Sequence, residues 1–164
     1  MQLLVIRHGT AEDAPPGGDE ASRSLTKAGK QEMKEVVAGL KTIVESIDAI
    51  GASPLSRAQQ TAEIVAKAYG GLSVRTVDAL VPGNDPAALN DWLGKQASDK
   101  VVAIVGHEPL LGLLVTWFMT GAGSSRVALS KGGAALLEFS ARTSRGSGEL
   151  QWLLKRSELR RLGK

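Results

Sequence analysis

Two runs in this sequence, Leu3–Ile6 and Val101–Val105, are apolar at every position. A strand with one face in water alternates apolar and polar residues, so runs like these read as sheet strands covered on both faces. Helices must then lie on either side of the sheet, and the chain supplies them. After Thr26, a natural N-cap, Met33, Val36, Val37 and Leu40 recur at helical spacing. Ser53-Pro54 opens a second helix with the stripe Ala58, Ala62, Val65 and Tyr69, which Gly70-Gly71 ends. Asp85 caps a short third helix with Pro86 at its first position and Leu89, Trp92 and Leu93 inward, and Pro109 opens a buried fourth over Leu110–Met119. Ile47–Ala52 and Ser73–Val77 read as further strands, and Ala134–Phe139 and Leu150–Leu154 as two closing strands joined by the loop 140–148. The alternation predicts an α/β protein of three layers, α/β/α, around a mostly parallel sheet with Leu3–Ile6 central. With 164 residues, 43% of them hydrophobic, and no repeat or linker, one domain spanning 1–164 is expected.

Composition narrows the function. Without cysteine there is no disulfide scaffold, thiolate nucleophile or Cys-based zinc site. No signal-peptide pattern precedes Leu3, and the expected location is the cytoplasm. Leu110–Met119 is about half the length a bilayer requires, so no membrane partner is expected. Of the formal charge of +3, residues 140–164 hold seven Lys/Arg against two Glu, net +5, leaving −2 for the rest. That basic end lacks aromatics beyond Trp152 and matches no nucleic-acid motif, so it reads as a solvated strand end and tail.

Chemistry concentrates at strand ends. The chain has two histidines, and each follows an apolar run directly, in Val5-Ile6-Arg7-His8-Gly9 and in Ile104-Val105-Gly106-His107-Glu108-Pro109. Ligands of open α/β sheets bind at the carboxyl ends of strands, which places both imidazoles in one crevice. Arg57, in Ser53-Pro54-Leu55-Ser56-Arg57-Ala58, falls in a first helical turn, where a cation is disfavoured by the helix dipole unless an anion compensates. A helix N-terminus beside a guanidinium receives phosphate well.

These residues carry a resemblance. Arg7-His8-Gly9, the segment Ser-Pro-Leu-Ser-Arg-Ala-Gln-Gln-Thr-Ala beginning at Ser53, and Gly106-His107-Glu108-Pro109 resemble, in order, the motifs of the histidine phosphatase superfamily, which includes the cofactor-dependent phosphoglycerate mutases. The short length, with Arg23-Ser24-Leu25-Thr26 and Leu80-Val81-Pro82-Gly83-Asn84-Asp85, is similar to the SixA-type phosphohistidine phosphatases. The resemblance implies a phosphoglycerate mutase-like fold and a phosphatase in which His8 attacks phosphorus. Arg7, Arg57 and His107 would bind the substrate phosphoryl oxygens and stabilise them through transfer. The neighbouring Arg7 would lower the pKa of His8 and keep its lone pair free. No cofactor and no metal are then expected. A rival metal site from His8, His107, Glu12 and Glu108 would set a cation against two arginines.

One departure bears on the substrate. Many superfamily phosphatases carry an acid after the third strand to protonate an alkoxide leaving group, and Ala79 stands there in Val77-Asp78-Ala79-Leu80. Asp78, in an extended segment, would point to the opposite face; Glu108 and Glu12 remain candidate donors. The expected substrate is a phosphorylated histidine of a partner protein. A small phosphate ester, or binding of phosphate or phosphohistidine without turnover, are the alternatives. Oligomeric state and pathway are not written in the sequence.

Overall fold

The computed structural model describes residues 1–164. Six strands, β1 (Gln2–Arg7), β2 (Ala49–Ala52), β3 (Val74–Thr76), β4 (Val101–Gly106), β5 (Ala134–Glu138) and β6 (Glu149–Leu154), form one sheet in the order β3-β2-β4-β1-β5-β6. The four on the β3 side run parallel, while β5 and β6 run antiparallel to their neighbours. The two uninterrupted apolar runs are thus the two central strands. Around them lie α1 (Lys27–Ile43), α2 (Ser56–Ala68), α3 (Pro86–Leu93), α4 (Leu110–Thr120) and α5 (Arg156–Leu162).

The twofold period of the strands sorts the core into two layers. Leu4 and Ile6 of β1 and Ala103 and Val105 of β4 pack with α1, α2 and α5 through Met33, Leu40, Ala62, Val65 and Leu159. The alternate residues, Leu3, Val5, Val102 and Ile104, pack with α3 and α4 through Leu89, Leu93, Leu111, Leu114 and Phe118. The expected three-layer architecture follows. Local signals hold as well: Thr26 Oγ1 accepts the Gly29 N–H at 2.8 Å, and Asp85 Oδ1 accepts the Ala87 N–H at 2.8 Å. No helix is long and apolar enough to cross a membrane.

Three expectations need correction. The second helix begins at Ser56 rather than at Ser53-Pro54, because Ser53 still belongs to the sheet: its N–H donates to Val105 O at 3.0 Å. Residues Asp78–Leu80 form a 3-10 turn instead of extended chain, so strand alternation does not decide where Asp78 points. The basic C-terminal end is no solvated tail. It folds into α5, which buries Leu159 against α1. Its Arg156 and Arg160 pair with Glu32 and Glu35 of α1, so part of the basic surplus is neutralised within the fold. The approach is close enough that a Cβ at Gly39 would lie 1.8 Å from the Leu159 carbonyl oxygen.

Candidate active site

Strand register builds the site. β1 pairs Arg7 with Gly106 of β4, and the His8 N–H donates to Gly106 O at 3.1 Å. β2 pairs Ala52 with Val105 on the other edge of β4. Ser53, His107 and the Arg7-His8 pair therefore stand side by side at the carboxyl ends of three adjacent strands. The two imidazole centroids are 5.1 Å apart, with the rings inclined at 53°. α2 leaves β2 immediately and carries Arg57 in its first turn, where it is buried. The charges of Arg57 and Arg7 act on both rings, so the four residues singled out in the sequence come together.

The tautomer of His8 follows from its partner. His8 Nδ1 lies 2.7 Å from Gly9 O, and a carbonyl only accepts, so Nδ1 carries the proton and Nε2 holds the lone pair. The His8 pKa is lowered to about 4, chiefly by burial, with the Gly9 carbonyl opposing and Arg57, Arg7 and Lys131 adding to the fall. The sequence reading credited Arg7 alone; removal of the ring from water does more. His107 is lowered to about 3 by burial, then by His8, Arg57 and Arg7. Both rings are neutral near pH 7.

Two side-chain nitrogens around them have no protein partner. Arg7 Nη1 donates to Leu129 O at 2.7 Å, while Arg7 Nε is buried without a partner. His107 Nε2 lies 2.8 Å from Ser53 Oγ, while His107 Nδ1 is buried without a partner. Buried polar groups are nearly always paired, so these two nitrogens are the side-chain atoms of the crevice available to a ligand. Arg57 Nη1 donates to Glu20 O at 3.0 Å, and its Nη2 lies 3.6 Å from the Glu20 carboxylate, which also meets Arg23 at 2.6 Å. Glu20 is thus the anion that a cation in a first helical turn demands.

Two further residues brace the crevice. Thr61, one turn along α2, accepts the Gly9 N–H at 3.1 Å and donates to Arg57 O at 2.7 Å, tying the His8 loop to the helix. A Cβ at Gly9 would come within 2.7 Å of Met33 Cγ, so the third position of Arg-His-Gly is sterically restricted.

The acidic candidates fare differently. Glu108 accepts the Leu129 N–H at 2.9 Å and the Gly112 N–H at 3.4 Å, holding in place the same Leu129 whose carbonyl takes Arg7. It is a brace, which removes it from both the proton-donor and the metal-ligand proposals. Asp78 and Glu12 are exposed. No three His, Asp or Glu side chains converge, so the rival metal set of His8, His107, Glu12 and Glu108 does not assemble. The sequence reading missed Ser53, Thr61, Glu20 and Leu129. Thr61 had a signal, since it lies four residues from Arg57 on one helix face, and Ser53 heads the same motif. Glu20 and Leu129 come from loops with no periodicity to mark them.

The comparisons agree with this geometry. The model of the histidine phosphatase superfamily (branch 1) matches residues 3–81, which hold Arg7, His8 and Arg57. An uncharacterised protein of Picosynechococcus is 36% identical over 114 residues, 68% of this chain and 69% of that protein. The chain belongs to the histidine phosphatase superfamily. Within it, the similarity reaches nearly end to end with the phosphohistidine phosphatase SixA of Escherichia coli, at 27% identity over 163 residues, covering 98% of this chain and 97% of that protein. The structure of the protein histidine phosphatase SixA complexed with tungstate matches with a TM-score of 0.83 at 26% identity, covering 97% of this chain and 99% of that one. The fold is accordingly phosphoglycerate mutase-like.

Proposed function

We propose that this protein is a metal-independent phosphohistidine phosphatase that takes the phosphoryl group of a partner protein onto His8 Nε2 and passes it to water. The observation that carries the reading is the pair of buried, unpartnered nitrogens, Arg7 Nε and His107 Nδ1, beside an imidazole with a free Nε2. A tetrahedral oxyanion satisfies both, and the SixA structure with tungstate, such an anion, supports this.

The transfer can be written atom by atom. The Nε2 lone pair of His8 forms the new N–P bond as the N–P bond of the substrate breaks, its electron pair returning to the departing imidazole. Charge builds on the three equatorial oxygens, where Arg7, Arg57 and His107 donate. Phospho-His8 is cationic on the ring, and the Gly9 carbonyl, which accepts from Nδ1, favours that charge. Water then attacks phosphorus, His8 regains its lone pair, and phosphate leaves.

The acids bear on the substrate class. Ala79 holds no proton, Glu108 is spent on backbone amides, and the exposed Asp78 and Glu12 carboxyls make no hydrogen bond to the crevice residues, which supports a substrate that needs no acid for its leaving group. A positioned acid contributes about 10²–10⁴-fold. Phosphohistidine needs none, because its leaving imidazole departs neutral once its other nitrogen is protonated near a pKa of about 6.5. The test compares kcat/KM for a phosphohistidine protein, an aryl phosphate and an alkyl phosphate, expected in that descending order and unaltered by EDTA, with acid-labile phosphate trapped on His8 and lost in His8→Ala. Equal rates on the alkyl phosphate would assign the protein to small esters. Binding without turnover would make it a recognition module.

A further inference from the structure

The reading above uses His107 as a donor, but a neutral imidazole donates from only one nitrogen, and the structure decides which. His107 Nε2 faces Ser53 Oγ at 2.8 Å, and Ser53 is fully buried at the end of β2. The direction of that hydrogen bond is ambiguous taken alone. If Nε2 carried the proton, Nδ1 would present a bare lone pair to the crevice and repel an oxyanion.

A second contact resolves it. The Leu55 N–H donates to Ser53 Oγ at 3.3 Å, so the hydroxyl oxygen already accepts one hydrogen bond from the backbone. The Ser53 hydroxyl hydrogen needs an acceptor of its own, and the partner that Oγ has besides the Leu55 N–H is His107 Nε2. One arrangement gives the Ser53 hydroxyl both an incoming and an outgoing hydrogen bond: Leu55 N–H to Ser53 Oγ and Ser53 O–H to His107 Nε2, which puts the His107 proton on the unpartnered Nδ1.

We propose that Ser53 is a positioning residue that holds His107 as its Nδ1–H tautomer, so that the unpartnered nitrogen is a donor aimed at a phosphoryl oxygen. The consequence for catalysis rests on the phosphatase reading; the polarity of the relay rests on the hydrogen bonds alone. An imidazole in water favours the Nε2–H form, so without Ser53 part of the population would turn a lone pair toward the substrate. The relay resembles in logic the outer groups that fix histidine tautomers at metal sites, whose loss typically costs about 10–100-fold in activity.

The experiment reads the tautomer directly by long-range ¹H–¹⁵N NMR of the ligand-free protein near pH 7.5. The chain has only two histidines, and the signals of His107 are identified by their loss in His107→Gln. In the wild type His107 should be protonated on Nδ1 and bare on Nε2. Ser53→Ala should shift it toward the Nε2–H form, leave His8 unchanged, weaken binding of inorganic phosphate about 10-fold and lower kcat/KM about 10–100-fold. Ser53→Thr, which keeps a hydroxyl, should restore the tautomer and the binding together. A wild-type His107 protonated on Nε2 would overturn the proposal with no variant needed. So would a Ser53→Ala protein that loses activity while its His107 tautomer stays put, since that marks a structural role only. If the wild type shows the expected tautomer yet hydrolyses no phosphorylated substrate, the phosphatase reading fails and the relay stands.

Discussion

Acidification from pH 6.5 to pH 5 should weaken the fold through two residues. His8 and His107 are 6% and 2% exposed, and their pKa values in the folded protein are about 4 and about 3. In the unfolded chain each titrates near 6.5. Between those values the unfolded state binds protons that the native state refuses, so stability rises with pH there. The contribution is fully present above about pH 6.5 and is lost as pH falls toward about 4 for His8 and about 3 for His107. At pH 5 the unfolded state is favoured by about 2 kcal/mol for each histidine, about 4 kcal/mol together. That is a large part of the roughly 5–15 kcal/mol that holds a typical domain folded. Urea unfolding from pH 5 to pH 7.5 measures it, with His8→Gln and His107→Gln as controls that each remove one titrating ring. Carboxylates contribute equally to all three proteins, so each variant should lose about half of the histidine-dependent slope. A wild-type stability flat across pH 5–6.5, or variants that keep the whole slope, would refute the claim that burial holds these rings neutral.

Three other substitutions separate the roles assigned here. Arg57→Lys keeps the charge but loses the planar fork, and should cost about 2–4 kcal/mol in kcat/KM; full activity would reduce Arg57 to an anchor for Glu20. Glu108→Gln should lower unfolding stability by about 1–3 kcal/mol, because a charged acceptor of two backbone amides is lost. It should leave the ratio of aryl to alkyl phosphate hydrolysis unchanged, and a change in that ratio would reinstate Glu108 as the proton donor. Gly39→Ala places a methyl group 1.8 Å from the Leu159 carbonyl oxygen and should force α5 away from α1, at a cost of about 1–3 kcal/mol. A urea midpoint equal to that of the wild type would show that this docking is not tight.

What the sequence made legible divides along local and non-local lines. Leu3–Ile6 and Val101–Val105 announced central strands because a doubly covered strand needs no partner to reveal its pattern. The residues one step beyond them, His8 and His107, inherited their placement from the strands. Arg57 was readable because a cation in a first helical turn demands explanation. By contrast, α5 has a single buried residue, Leu159, in seven, which leaves no period to detect. The Glu20 and Leu129 contacts to the two arginines depend on how loops fold back across about forty and one hundred and twenty residues respectively, and no window on the chain holds both partners.

The same division explains why the phosphoryl group is easier to infer than what it is attached to. On the proposed reading, phosphate is held by groups that two strand ends and one helix start deliver: Arg7 and His8 at the end of β1, His107 after β4 and Arg57 in α2. Those groups suit an anion, with two guanidinium groups beside two imidazoles kept neutral by burial. A protonated His8 would strengthen anion binding and abolish nucleophilicity, so a site that must attack phosphorus needs its positive charge on arginine and its lone pair on histidine. The sequence offers Ala79 where the resemblance expects an acid, Asp78 is exposed, and Glu20 is already shared between Arg23 and Arg57. On the proposed reading, a site of this make-up holds charge through transfer and has no assigned acid for what departs, which suits a substrate whose leaving imidazole brings its own proton.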